Sequence, residues 1–320
     1  MRATIAGIGR TLVTLGILIL LFVGYQLWGT GIYQARAQDR LENDFADLLH
    51  QVGATSTSAP RATTSTTDPA TTTTAPAETT TTTAGPIQLP PIGLGDPLAK
   101  LQIPKIGVDA VVVQGTGREE LKKGPGHYPA TPLPGQYGNA AIAGHRTTYG
   151  APFNRLDELQ KGDFILTQSL VGDSVYVVAE VLVVAPTDVW VADDTPGEPW
   201  LTLTTCNPEY SARERLVVKA KMVEERSDPP RPTISGSGSI DAGAGATPGD
   251  QSLADGLAGD AGSRLPAALW GSIALLVGLA WWWTFRRWRL LGTWLAGVGP
   301  FLAVLFVFYV YLERMLPAGY

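Results

Sequence analysis

The stretch that decides the fold reads Leu201-Thr202-Leu203-Thr204-Thr205-Cys206-Asn207-Pro208, and the chain returns as Arg213-Glu214-Arg215-Leu216-Val217-Val218. Leucine alternates with threonine, the period-two pattern of a half-buried strand. Leu201, Leu203 and Thr205 share one face, and Thr202, Thr204 and Cys206 the other. Pro208 has no N–H to give a ladder, so the strand stops at Asn207-Pro208. Arg215 then opens a second strand that runs to Val223. On neighbouring antiparallel strands Cys206 and Arg215 sit side by side. Arg213 has the same parity, so spacing alone does not choose between the two arginines.

Cys206 is the one cysteine in 320 residues. A lone cysteine is commonly a small buried hydrophobe. In an exported protein, however, an unpaired thiol flags reactivity. A strand that fixes it and a loop that leaves it reachable suit a nucleophile. One cysteine excludes an internal disulfide and a cysteine-based metal cluster. The three histidines, His50, His127 and His145, leave few metal options, and the sequence calls for no cofactor. A net charge of −5 argues against a nucleic-acid partner.

Working outward, Leu101–Ile103, Asp109–Gln114, Asn139–Ala143, Asp163–Thr167 and Ser174–Val184 read as further strands. Arg118–Lys123 is a short helical turn. Pro152–Leu159 carries proline at its first turn and Phe153, Leu156 and Leu159 at helical spacing, which predicts a short amphipathic helix. Short strands with turn signals between them predict an all-β domain closed into a barrel over residues 94–226. Its core is within reach of about 130 residues.

The flanks are different in kind. Arg2 and Arg10 precede an apolar run over 11–29, long enough to span a bilayer. Ala35-Arg36-Ala37 resembles a cleavage site but lies too far beyond the apolar core, so an uncleaved anchor is favoured. Residues 30–93 read as an extracytoplasmic stalk, with a short charged helix between Gln34 and Val52 and an exposed His50. At 54–84 threonine, proline and alanine dominate, a composition that cannot offset the entropy of ordering. Residues 227–264 form a glycine- and serine-rich linker. Apolar runs at 265–285 and 290–312 flank a basic turn, Arg286, Arg287 and Arg289, at 286–289. With Arg2 and Arg10 inside, three spans place the barrel outside.

Thiol chemistry at a carbonyl needs a thiolate, a proton donor for the leaving amine, and a donor for the oxyanion. Cys206 supplies the first. His145 is the stronger candidate for the second, because it ends the buried strand Asn139–Ala143, whereas His127 lies in a glycine- and proline-rich loop. Arg215 or Arg213 offers the third, through a guanidinium that also favours the thiolate.

Thr202-Leu203-Thr204-Thr205-Cys206 with Arg215-Leu216-Val217-Val218, and Ala141-Ile142-Ala143-Gly144-His145-Arg146, together resemble the two motifs of the sortase family. Gly126-His127-Tyr128-Pro129 and Gly144-His145-Arg146-Thr147-Thr148-Tyr149-Gly150 most resemble the class E sortases of actinobacteria. The resemblance implies an eight-stranded β-barrel and a cysteine transpeptidase. Such an enzyme cuts a Leu-Pro-x-Thr-Gly or Leu-Ala-x-Thr-Gly sorting signal on surface proteins. It then joins the acyl group to an amine of a peptidoglycan precursor or a pilin lysine. Cys206, His145 and Arg215 are its catalytic positions. The resemblance implies substrate contacts from Tyr128, which would favour alanine at the signal's second position, and from Thr205. The connection Pro186–Pro199 lines the groove in sortases, so Val189, Trp190 and Val191 are candidates for its apolar wall. The pair of C-terminal spans departs from the class E pattern: a C-terminal membrane segment is more usual in the pilin-polymerising class, whose loop motifs these are not, and this departure bears on the subclass. A cell-wall L,D-transpeptidase carries Ser-His-Gly-Cys at its nucleophile, which Thr204-Thr205-Cys206-Asn207 lacks. A hydrolytic cysteine peptidase and a non-catalytic surface module are the remaining readings.

Overall fold

The computed structural model describes residues 16–57, 89–232, 261–285 and 298–315. Among these, eight strands close into a barrel: β1 (Pro97–Ile103), β2 (Val108–Gln114), β3 (Gly126–His127), β4 (Gly138–Ala143), β5 (Phe164–Ser169), β6 (Gly172–Val184), β7 (Pro199–Asn207) and β8 (Glu214–Met222). Their order around the barrel is β1-β2-β3-β4-β7-β8-β6-β5. β4 runs parallel to β7 and β2 parallel to β3; the other pairs are antiparallel.

Leu201 and Leu203 of β7 point into a core with Leu101, Ile103, Ile142, Tyr176 and Val218. The half-buried reading of β7 needs correction, because its other face is covered as well. Val191 of the β6–β7 connection, Tyr128, and Leu121 of helix α1 (Arg118–Leu121) form that cover and cluster with Cys206. Two layers therefore pack on β7, and its threonines must find partners inside the protein. Thr202 Oγ1 donates to Asn139 Oδ1 at 2.7 Å, and Thr205 Oγ1 to the Gly144 carbonyl at 2.8 Å.

Two further elements within the barrel domain differ from the sequence reading. Pro152–Leu159 is a run of turns with a single 3₁₀ turn at Leu156–Glu158. Phe153, Leu156 and Leu159 are nonetheless buried in the barrel core. A run this short gains too few hydrogen bonds to offset helix nucleation, so burial decides its path. β3 sits where a loop was expected. It has only two residues and no periodicity, and its pairing is dictated by Val113 on one side and Ala143 on the other.

The stretch expected as the start of a stalk is a 28-residue helix, Thr30–Thr57, docked on the barrel. Leu41, Phe45 and Val52 form its apolar stripe and pack on Val111, Val113 and Leu170. Each such side chain stabilises the contact by roughly 1.5–3 kcal/mol. Gln38 completes the dock: Nε2 donates to the carbonyls of Val111 (3.0 Å) and Lys123 (2.9 Å), and Oε1 accepts from the Val111 N–H (2.7 Å). His50 is exposed on this helix.

At the other end the chain stays on the barrel beyond residue 226. Asp228 N–H donates to the Asp173 carbonyl at 2.8 Å, and Arg231 Nε to the Val171 carbonyl at 2.7 Å. Helices α2 (Arg264–Phe285) and α3 (Val298–Met315) pair, with the Trp281 and Phe301 rings 5.7 Å apart. Tyr309 donates its hydroxyl to the Leu18 carbonyl at 2.7 Å, which joins α3 to the N-terminal apolar segment. Among the described residues one helix, Arg264–Trp283, is long and apolar enough to cross a membrane; Val298–Leu312 is a shorter apolar helix. Residues 1–15, most of the threonine-rich 54–84 segment, 233–260 and the basic turn at 286–289 lie outside the described residues.

Candidate active site

The site is built by strand register. Cys206 on β7 is the direct antiparallel partner of Arg215 on β8. On the other side β4 runs parallel to β7, and Ala143 pairs with Thr204. The same step of two residues along both strands carries the chain to His145 and to Cys206. Two hydrogen bonds hold this extension: the Gly144 N–H donates to the Thr204 carbonyl at 3.0 Å, and Thr205 Oγ1 donates to the Gly144 carbonyl. Gly144 must be glycine here, since a Cβ would lie 2.6 Å from the Phe153 ring. The His145 carbonyl accepts from the Phe153 N–H at 3.1 Å, which anchors the turn to the core.

Cys206, His145 and Arg215 are all buried. Burial pushes the Cys206 thiol up from its ordinary value, and the guanidinium groups of Arg215 and Arg146 oppose that shift. Arg215 Nη1 donates to the carbonyls of Ala212 (3.1 Å) and Glu214 (2.9 Å), so the guanidinium is fixed against the β7–β8 turn. Arg213, which has the same parity, lies before β8 and is exposed. The structure thus separates the two arginines that spacing left open. The His145 ring packs against Tyr149 with centroids 5.3 Å apart, and Tyr149 in turn meets Tyr33 of the N-terminal helix at 6.2 Å.

His127 is held through both ring nitrogens. Its Nε2 lies 2.8 Å from the Pro132 carbonyl and its Nδ1 2.8 Å from the Gln114 side chain. Burial lowers its pKa to about 4. It is a neutral clasp that ties β3 to β2 and to the loop that follows.

The remaining sequence candidates divide by face. Tyr128 belongs to the cluster around Cys206, and its hydroxyl is 3.3 Å from Thr204 Oγ1. Thr205 is fully buried on the opposite face, where its hydroxyl fixes the turn before His145. Val189 and Trp190 are 44% and 51% exposed on a 3₁₀ turn, Val189–Ala192, while Val191 beside them is buried against Cys206. Asn139 was missed by sequence reasoning. Its Nδ2 donates to the carbonyls of Val191 and Asp193, both at 3.0 Å, and so pins that turn over β7. An asparagine at the start of a small apolar strand carries no visible sign of this task.

A family model described as the sortase domain matches residues 101–223. Sortase E from Streptomyces avermitilis is 40% identical in sequence, with 41% of this chain and 90% of that chain covered, at a TM-score of 0.38. The chain belongs to the sortase family. Sortase SrtE1 of Streptomyces coelicolor is 33% identical over 234 residues, which cover 68% of this chain and 57% of that protein. This sortase therefore matches little more than half the length of that relative. A Clostridium perfringens sortase D5 transpeptidase is 35% identical, with 41% of this chain and 82% of that chain covered, at a TM-score of 0.39.

Proposed function

We propose that this sortase is a membrane-anchored cysteine transpeptidase of the class E kind, with Cys206, His145 and Arg215 as its catalytic residues. The observation that carries the reading is the register of β4, β7 and β8, which aligns the ends of three strands on one thiol. Tyr128, Val189 and Trp190 are proposed to meet the substrate, and Thr205 to act through the His145 turn.

The substrate is a surface protein with a Leu-Pro/Ala-x-Thr-Gly signal. The Cys206 sulfur attacks the threonine carbonyl, and the C=O electron pair moves onto oxygen. Arg215 stabilises that oxyanion with a fixed, permanently charged fork. The tetrahedral centre collapses, the Thr–Gly bond breaks, and imidazolium His145 gives its proton to the departing amine. A thioester on Cys206 remains. An amine from a peptidoglycan precursor or a pilin lysine attacks it, His145 takes the amine's proton, and Cys206 leaves as thiolate. The domain is proposed to work outside the cell, carried by spans at 11–29, 265–285 and 290–312, with the arginines inside.

The test uses the full chain in detergent with Leu-Pro-x-Thr-Gly and Leu-Ala-x-Thr-Gly peptides, with and without an amine acceptor. The parent is expected to form a thioester adduct seen by mass spectrometry and to yield the amide product when amine is present. Cys206→Ala is expected to lose both while keeping its melting temperature. Turnover in that variant overturns the reading, and product that is free acid at saturating amine makes the protein a hydrolase.

A further inference from the structure

Arg146 follows His145 in the chain and is 4% exposed. Its Nη1 donates to the backbone carbonyl of Cys206 at 3.2 Å and to Asn207 Oδ1 at 2.7 Å. Its Nη2 pairs with Asp157 at 3.2 Å. Its own carbonyl accepts from Asn154 Nδ2 at 2.9 Å. Both ends of this residue are therefore held, and three acceptors from two separate segments converge on one guanidinium. Only a planar fork serves them together; a lysine ammonium has the charge but not the geometry.

We propose that Arg146 is a positioning residue of the active site, a brace that ties the segment carrying His145 to the end of β7 carrying Cys206. The proposal rests on the reading of Cys206 as nucleophile and His145 as acid. The need for a brace follows from the strand ends. β4 stops at Ala143 and its ladder with β7 stops at Thr204, so His145 and Cys206 both lie past the last ladder pair. Beyond His145 the backbone turns through left-handed conformations at Tyr149 (φ 51°) and Ala151 (φ 44°), which non-glycine residues adopt at a cost. The bond from Arg146 to the Cys206 carbonyl spans the gap that the ladder leaves. Asp157 adds little to this by itself, since its side chain is 53% exposed and the pair is screened. The work is done by the bonds to Cys206 and Asn207.

The brace has a second consequence. Arg146 and Arg215 flank the thiol from the β4 and β8 sides, and both favour its ionised form against burial. Removing Arg146 thus disturbs the alignment of acid and nucleophile and makes the thiolate scarcer. Misplacement of this order costs on the order of 100-fold in rate.

The experiment compares the full-chain parent with Arg146→Met, Arg146→Lys, Asp157→Asn and Cys206→Ala in detergent. It measures kcat and KM for the sorting-signal peptide, the pH profile of Cys206 alkylation by iodoacetamide, and the melting temperature. Arg146→Met is expected to lose kcat by roughly 10- to 100-fold with KM within about threefold, and its alkylation profile moves to higher pH. Arg146→Lys keeps the alkylation profile but not kcat. Asp157→Asn stays within about twofold of the parent. A folded Arg146→Met with parental kcat overturns the proposal, as does a loss in which the alkylation profile stays unmoved. Should the methionine variant fail to fold, the lysine variant decides: parental kcat overturns the brace, and a fall with an unmoved profile supports it. A Cys206→Ala variant that still turns over defeats the reading of the nucleophile instead, so the two failures are distinct.

Discussion

At Cys206 two effects oppose each other: burial favours the neutral thiol, and two nearby guanidinium groups favour the thiolate. Which arginine matters can be measured. Arg215 is buried and paired with Cys206 across β7 and β8, while Arg213 is exposed. Arg215→Met is expected to lower kcat/KM by about 100- to 1000-fold, as for loss of an oxyanion donor, and Arg213→Ala to leave it within about twofold. Peptide-cleavage kinetics on both variants checks this. His127 affords a separate test, through pH. Its folded-state pKa lies near 4 against an ordinary 6.5, because burial disfavours the charged ring. The unfolded chain therefore binds the extra proton first. Its contribution is fully present above pH 6.5 and is lost as pH falls from 6.5 toward 4, at about 1.4 kcal/mol per unit. Melting temperatures between pH 7 and 4.5 should fall more steeply for the parent than for His127→Gln, which cannot titrate. The alternation before Cys206 made this strand legible, and parity put an arginine of the returning strand beside it but left Arg213 and Arg215 equal until the register chose Arg215. The partner strand β4 did not follow, because a parallel neighbour separated by two intervening strands leaves no mark in local spacing. Nor did Arg146: it stood within the histidine motif, but a buried arginine and a surface one look alike until its acceptors are in place.

Among the elements, the N-terminal helix changes what counts as the catalytic unit. Leu41, Phe45 and Val52 lie at helical spacing in the sequence, yet the stripe says nothing about its partner, and the charges around it suggested a short helix within a stalk. Its first turn reaches the site. The Tyr149 N–H donates to Thr30 Oγ1 at 3.3 Å, and Tyr33 meets the Tyr149 ring edge-on, beside His145. Residues 94–226, the span expected to suffice from sequence, lack both the cover on Val111 and Val113 and this support. A chain starting at residue 94 is therefore expected to melt lower and turn over more slowly than one starting at residue 30. Phe45→Ala in the longer chain should cost about 3–5 kcal/mol, and calorimetry alongside peptide turnover measures both effects. Equal activity and stability of the two chains would show that the docked helix is dispensable.

At the scale of the whole molecule, the proposed spans require the barrel to face one side of a bilayer, and charge is the guide. Arg2 and Arg10 stand before the first apolar run, and Arg286, Arg287 and Arg289 lie between the last two. If these arginines stay inside, three crossings are required and the barrel, the threonine-rich segment and the glycine-rich linker are all outside. The expectation comes from composition alone, because the bilayer reads length and charge, not contacts. Its cost of error is also clear: retaining arginines on the outer face runs against insertion bias by a small amount per residue but accumulates over the cluster. The chain has one cysteine, so Cys206→Ala is a background without thiols. Single cysteines placed in it as Thr64→Cys, Ser237→Cys and Trp288→Cys report on the stalk, the linker and the basic turn. With a membrane-impermeant maleimide on intact cells, the first two are expected to label and the third only after permeabilisation. Labelling of Trp288→Cys on intact cells removes the three-span topology, and protection of Thr64→Cys puts the barrel on the wrong side to meet any surface protein, since a domain that follows an inward-facing segment without a further crossing stays inside with it.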